Sequence, residues 1–378
     1  MKAVAIFPHR RALELIEVEP PRLMRPADVL LRMLDVGICG TDKEIAGFHY
    51  GTSPQGSDYL IMGHESLGEV IEVGRDVSGL EPGDLVVPTV RRPCAQSTCR
   101  ACRSGQQDFC STGEFTERGI KEAHGYLAEL VVEQKTYLHK IPAALRSVGV
   151  LIEPLTIAEK AFRQVWDVQE RLPWAAPQPS HSGVGEKHGH DALVLGAGPV
   201  GILGAMLLVS LGFDTYVYSR EPTDGVKAAI VEAAGAHYIS AADHDVADLP
   251  RLVDDIDLVY EACGATGLAF GVLQLLAPNA VFVFTGVPGR KAPIEIDAAE
   301  LMRNLVLKNQ IVFGTVNAGP FAFENAIKDL ERFLETAPKA VEGLITGRYP
   351  LEAYADLLSG NVHGIKNVVA LHPPESKA

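Results

Sequence analysis

Through its first third the chain carries apolar residues in short alternating runs broken by Gly and Pro: MKAVAIF, DVLLRMLDVGI, SLGEVIEVG, GDLVVPTV and YLAELVVE. Period-two alternation with turn residues between is the pattern of half-buried strands, so a small, irregular, mostly antiparallel β region is predicted. From Asp191 the pattern changes. DALVLGAGPVGILGAMLLVSLGFDTYVYSR is an apolar run, a glycine turn, a continuously apolar stretch of helical length and a second strand-like run. That order is the βαβ unit of a parallel sheet. AIVEAAGAHYIS, IDLVYEACGA and NAVFVFTGV continue it, and after Gly314 helical and strand patterns return in ENAIKDLERFLETA and NVVALH. The predicted fold class is α/β, with a Rossmann doubly wound parallel sheet over 186–312 inserted into a mostly β domain made of 1–185 and 313–378. Before the change of pattern, RLPWAAPQPSHSGVGEKHGH has neither period and reads as an exposed connection. Its His181, His188 and His190 have no Cys nearby and no regular period around them, so a solvated loop is preferred over a metal site.

With 378 residues, 47% hydrophobic and 22% charged, the chain is long enough for two cores. The net charge of -14 argues against general affinity for nucleic acid or an anionic membrane surface. The apolar stretch before Pro8 is too short for a signal peptide, and no later run is long enough to span a bilayer, so a cytoplasmic location is expected. Four of the six cysteines crowd between Cys94 and Cys110, which points to metal rather than disulfides.

Gly196, Gly198 and Gly201 form G-A-G-P-V-G, closing the run ALVL and opening the helical stretch at Pro199 and Val200. In that context the first glycine permits a tight turn, the second lets a pyrophosphate approach the backbone, and the third lets helix pack on strand. The free N–H groups of the helix start favour the anion. A dinucleotide site is predicted. An acidic residue at the end of the second strand would take the ribose 2′-hydroxyl, but TYVYSREP offers Ser219 and Arg220 there. A hydroxyl and a guanidinium suit a 2′-phosphate, so NADP is predicted; NAD is the alternative if the strand end presents Glu221.

Cys94, Cys99, Cys102 and Cys110 have the spacing C-x4-C-x2-C-x7-C, and four thiolates close a tetrahedral shell that leaves no place for substrate. A structural zinc is predicted there. A second, scattered set is Cys39 in GICGTD, His64 and Glu65 in MGHESLGEV, and Glu153 in VLIEPLTIAEK. A mixed thiolate, imidazole and carboxylate shell suits a catalytic zinc with an exchangeable position; singly each of these residues is weak evidence.

GICGTD, GHESLGEVIEVG, the four-cysteine lobe and VLGAGPVG, in that order along nearly the whole chain, resemble the zinc-containing medium-chain alcohol dehydrogenase superfamily. GTSPQGSDYLIMGHE, CSTGEFTERGIKEAHGYLAE and IEPLTIAEKA resemble its glucose dehydrogenase family of archaea and some bacteria. The resemblance implies a GroES-like catalytic domain and zinc-dependent oxidation of an aldose at C1 to the lactone with NADP or NAD. It implies Cys39 and His64 as catalytic zinc ligands, with Glu65 and Glu153 as ligands or near neighbours. Thr41 matches the hydroxyl residue that passes the substrate proton toward solvent. Glu114, Glu153 and Asn317 match sugar contacts, and Asn317 with Thr285, Gly286, Val287, Thr315 and Val316 lines the nicotinamide half. A homodimer or homotetramer is implied likewise. Two features depart from the family: the first cysteine gap holds four residues instead of the usual two, and Ile157 stands where a further polar sugar contact is common. Alternatives are a dehydrogenase of a linear polyol, a threonine-like alcohol or another aldose, and a non-catalytic nucleotide-binding protein of the same fold. His49 and His124 are as readily structural as functional, and Cys263 reads as packing beside the cofactor.

Overall fold

A computed structural model of the protein describes residues 1–173, 189–289 and 293–372. His181 and His188 lie outside the described residues. The chain divides into two compact units. One comprises Met1–Thr156, Asn317–Glu331 and Ile345–Ala378, the other Ile157–Val316 and Arg332–Leu344.

The main sheet of the first unit runs in the order Leu138–Ile141, Leu85–Pro88, Glu65–Val73, Asp28–Ile38, Lys366–Ala370 and Ile345–Tyr349. Asp28–Ile38 is its hub. One edge pairs antiparallel with Glu65–Val73, while the other is shared, Leu130–Gln134 taking its first half and Lys366–Ala370 its second. Alternation along the hub strand predicts one wet face, yet every residue from Met33 to Ile38 is buried, because the sheet is covered on both sides there. Ala3, Val4, Leu31, Met33, Val36, Leu60 and Tyr126 form the centre of this core, each fully buried.

The second unit holds a six-stranded, all-parallel sheet in the order His237–Ser240, Asp214–Ser219, Asp191–Leu195, Ile256–Glu261, Val281–Phe284 and Ile311–Gly314. The strand order reverses direction between Asp191–Leu195 and Ile256–Glu261, the switch point at which doubly wound sheets open a crevice. Ala192 to Leu195 are fully buried, as a strand with helices over both faces requires. The helix Pro199–Ser210 buries Gly201 through Leu208, and a Cβ on Gly204 would run into the Tyr260 ring, so this helix lies directly on the sheet. The predicted class, a doubly wound parallel sheet joined to a mostly β catalytic part, is the one the chain adopts. Among the described residues no helix is long and apolar enough to cross a membrane.

Candidate active site

Strand register assembles the first cluster. Cys39 follows Asp28–Ile38 and His64 precedes Glu65–Val73, and because Gly37 stands opposite Glu65, Cys39 Sγ comes to 3.1 Å from His64 Nε2. Asn367 pairs with Ile38 on the other edge, delivering Lys366 to the same place. Its ammonium donates to Glu65 Oε2 and lies 3.4 Å from the Ile38 carbonyl. A Cβ on Gly37 would collide with Glu65 Oε2, so glycine there makes room for the carboxylate. The donor atoms of Cys39, His64 and Glu65 all lie within 4.8 Å of one another.

Cys39 also caps the short helix Gly40–Ala46, its N–H donating to Asp42 Oδ2 at 3.0 Å. The other oxygen of Asp42 stands 3.3 Å from His64 Nδ1. One fully buried carboxylate thus fixes the helix start and the ring that presents Nε2 to Cys39. Sequence reasoning missed Asp42 and Lys366. The Cys-x-x-Asp spacing just before a helical stretch signals the first; nothing local signals the second.

Burial pushes the Cys39 thiol up, against the opposing pull of His64. Burial would lower His64, but Cys39 and Asp42 outweigh it and hold the imidazole well above its ordinary range. Burial drives the Glu153 carboxyl up to about 7, with His64 opposing and Glu65 adding to the rise. Glu153 is therefore in the field of the cluster without belonging to the close donor group. A thiol that ionises on metal binding, an imidazole with a carboxylate at its far nitrogen, and a buried carboxylate are the donor chemistry of zinc. The residues fit that metal. Thr41 is partly buried in the first turn of the same helix.

The four lobe sulfurs also lie within 4.8 Å of one another, Cys99 and Cys110 at 3.9 Å. Sulfurs bound at about 2.3 Å to one tetrahedral centre would stand about 3.8 Å apart, so the lobe fits zinc as well. Backbone N–H groups of Cys102 and then Ser111 pull the Cys99 thiol down to about 5, favouring the ligating thiolate. Glu114, just beyond the lobe, is exposed and accepts from Gln96 Nε2 at 2.6 Å; it is not part of the Cys39 group. His124 accepts from Ile61 N at 3.1 Å and stacks on Tyr59. Burial, then Arg118, holds it below the ordinary histidine value. His49 is exposed.

In the second unit Gly196 sits at φ 103°, where a side chain would be strained. A Cβ on Gly201 would strike the Gly196 carbonyl, whereas the space beside Gly198 is open. Gly198 caps the helix that begins at Pro199, leaving a cradle of the kind a pyrophosphate fills. Glu221 is engaged twice, by Ser219 Oγ at 2.7 Å and by the Lys227 ammonium. Burial would raise its carboxyl, but these two partners outweigh it and lower it. Arg220 is exposed. A paired Glu221 beside an exposed guanidinium favours a 2′-phosphate over a bare ribose. Glu261, buried and unassigned by sequence, accepts from the N–H groups of Cys263, Gly264 and Gly286 at 2.8, 2.6 and 3.1 Å. It thereby shapes the turn carrying Thr285, Gly286 and Val287. Cys263 lies with its Cβ against Gly196 and is exposed. Val287 and Val316 are 71% and 53% exposed, leaving apolar surface free on this unit, and Thr315 N donates to the Phe284 carbonyl at 2.9 Å. His190 bonds Asp257 at 3.1 Å.

Residues 25–143 match the alcohol dehydrogenase GroES-like domain, and residues 146–371 match the glucose dehydrogenase C-terminus. The chain belongs to the glucose dehydrogenase family. It is 40% identical over 357 residues to the glucose 1-dehydrogenase of Thermoproteus tenax, covering 94% of this chain and 95% of that one. It is 37% identical over 372 residues to that of Methanocella arvoryzae, covering 98% and 99%. The Haloferax mediterranei glucose dehydrogenase, solved in complex with NADP, Zn and gluconolactone, superposes with a TM-score of 0.85 at 33% identity, over 99% of this chain and 100% of that one.

Two residues that the glucose dehydrogenase resemblance marks for the sugar differ in how far they are already engaged. Asn317 is buried at φ 58° and donates from Nδ2 to Glu117 Oε1 at 3.0 Å. Ile157 is partly buried and has only hydrocarbon to offer.

Proposed function

We propose that this glucose dehydrogenase family member oxidises an aldose, glucose or a related sugar, at C1 to the lactone, with hydride passing to NADP in preference to NAD. The observation that carries the reading is the convergence of thiol, imidazole and carboxylate at Cys39, His64 and Glu65; the full-length likeness to glucose 1-dehydrogenases supplies the substrate class. When bound, zinc lowers the pKa of the substrate hydroxyl and the nicotinamide accepts the hydride. Cys39 and His64 would hold the catalytic zinc, with Glu65 and Glu153 as further ligands or neighbours. Cys94, Cys99, Cys102 and Cys110 would hold a structural one. Asp42 keeps the His64 ring turned with Nε2 toward Cys39. Thr41 Oγ1 takes the proton of the C1 hydroxyl and passes it toward solvent, while Glu114, Glu153 and Asn317 orient the remaining hydroxyls. Gly196, Gly198, Pro199, Val200 and Gly201 cradle the pyrophosphate. Ser219 and Arg220 take the 2′-phosphate, with Glu221 turned away onto Lys227, and Thr285, Gly286, Val287, Thr315, Val316 and Asn317 line the nicotinamide half.

The same proposal takes 1–185 with 313–378 as the catalytic domain and 186–312 as the inserted nucleotide domain, which the two compact units support in outline. It includes a cytoplasmic homo-oligomer, dimer or tetramer. Met302, Val306 and Leu307 on the helix Ala298–Leu307 are each at least 64% exposed, apolar surface that a second copy would cover.

Initial rates across aldoses, linear polyols and threonine, each with NADP and NAD, test the reading. An aldose with NADP is expected to be fastest; sorbitol or threonine turning over faster than any aldose would overturn the sugar assignment. Arg220→Asp combined with Ser219→Gly should raise the NADP KM on the order of tenfold while changing that for NAD little. Equal losses for both cofactors would show that these residues do not read the phosphate.

A further inference from the structure

Asn317 is the first residue of the segment that returns to the first unit. Its left-handed backbone is supported by its own side chain, Oδ1 accepting from Ala318 N at 2.9 Å. The other end of the amide is held by Glu117 Oε1. That same oxygen receives Arg91 Nε at 3.0 Å and Nη2 at 3.0 Å. Both partners are almost fully buried, Glu117 at 5% and Arg91 at 6% exposure, so neither charge has water to fall back on. The remaining arm of the guanidinium, Nη1, donates to the Asp108 carbonyl at 3.1 Å, and its plane lies 3.7 Å from the Phe115 ring centroid. Asp108 belongs to the turn Gln107–Phe109 between Cys102 and Cys110. A Cβ on Gly319 would come within 2.8 Å of its Oδ1. The cysteine lobe thus meets the 317–319 segment twice, once directly and once through two buried charged side chains.

An amide can present oxygen or nitrogen in either sense, and its neighbours decide which. A carboxylate at one end fixes nitrogen there, and the Ala318 N–H fixes oxygen at the other. The second N–H of Nδ2 and the second lone pair of Oδ1 are then offered in one defined direction. Without Arg91 the buried Glu117 charge would be uncompensated and would not keep that position. We propose that Glu117 and Arg91 are positioning residues of the sugar site, transmitting the fixed geometry of the cysteine lobe to the Asn317 amide. The proposal rests on the reading of Asn317 as a sugar contact.

Steady-state kinetics of the zinc-loaded enzyme test it, with sugar and NADP varied separately. Glu117→Ala should raise the sugar KM about tenfold and leave the NADP KM within about twofold. Glu117→Gln, which keeps an oxygen for Asn317 Nδ2, should recover most of that loss, and Arg91→Met should resemble Glu117→Ala. Because the residues act through Asn317, Glu117→Ala added to Asn317→Ala should cost no more than Asn317→Ala alone. Additive losses, or a parental sugar KM for Glu117→Ala beside a raised one for Asn317→Ala, would overturn the proposal. A parental sugar KM for Asn317→Ala removes the Asn317 reading itself, and the positioning role falls with it. Should Glu117→Ala not fold, Arg91→Lys keeps the charge but loses the planar grip on Asp108. A raised sugar KM there supports the proposal and a parental one overturns it.

Discussion

Cys94, Cys99, Cys102 and Cys110 come from a single stretch of chain folded by one short helix and one turn. Cys39, His64 and Glu65 meet because two strands pair in register, and a third strand brings their supporting partner Lys366, 301 positions from Glu65. The lobe's donors can find one another with little help from the rest of the fold, so a metal there organises the loop. At the Cys39 cluster the fold organises the donors, with Asp42 behind His64 and Lys366 on Glu65. A closed shell of four like ligands suits stability, and a mixed shell suits a position that substrate can share.

The sharpest way to break this comparison is His64→Ala. Turnover should fall on the order of 10³-fold or more, with metal analysis finding the lobe zinc retained and the other lost; a fully active variant would show that the cluster is not catalytic. Asp42→Ala leaves the donors in place and removes the carboxylate behind the ring. A loss of about 10–100-fold in zinc affinity or activity is expected, read by competition with a chelator, and unchanged affinity would make this cluster as self-sufficient as the lobe. Cys102→Ser should leave kcat at saturating sugar within about threefold while lowering Tm on the order of 5 °C. A loss of kcat as deep as that of His64→Ala would end the division of labour between the two.

A metal-free polar cluster supplies the smallest effect and the control. Glu133 accepts from Arg92 and Tyr126 and pairs with Arg118. Burial would raise its carboxyl, but Arg118 and Arg92 outweigh that and hold it below the usual value. A lowered folded-state value contributes stability above the unfolded value of about 4.3 and loses it as pH falls through the folded one. In Glu133→Gln the acid limb of the stability curve below about pH 4.5 should therefore be shallower, by denaturant titration at several pH values. An unchanged limb would show that this pair does not titrate with unfolding.

What could be read from sequence follows how local each feature is. The glycine turn and the four cysteines are written in consecutive residues, and the structure places them as their spacing predicts. Cys39 and His64 are legible only in combination, because what unites them is a strand register that neither local pattern contains. Asp42 left a trace in its cap spacing; Lys366 left none, being joined to the cluster by a strand from the far end of the chain. At Ser219, Arg220 and Glu221 the letters posed a choice, and the Glu221 pairing with Lys227 is a contact that no strand-end rule contains. The hub strand's alternation failed for a similar reason: what covers its second face lies elsewhere in sequence.

Lys366 lies 328 positions beyond Ile38, the carbonyl its ammonium approaches. During synthesis at about 5–20 residues per second, the hub strand waits roughly 15–65 s for the strand that closes its second edge. For that interval Cys39 and Glu65 are out of the ribosome without Lys366, a nascent chain with a reactive thiol and an unneutralised carboxylate. Protection of Cys39 from a thiol-modifying reagent would therefore date the moment at which the newborn protein completes its sheet.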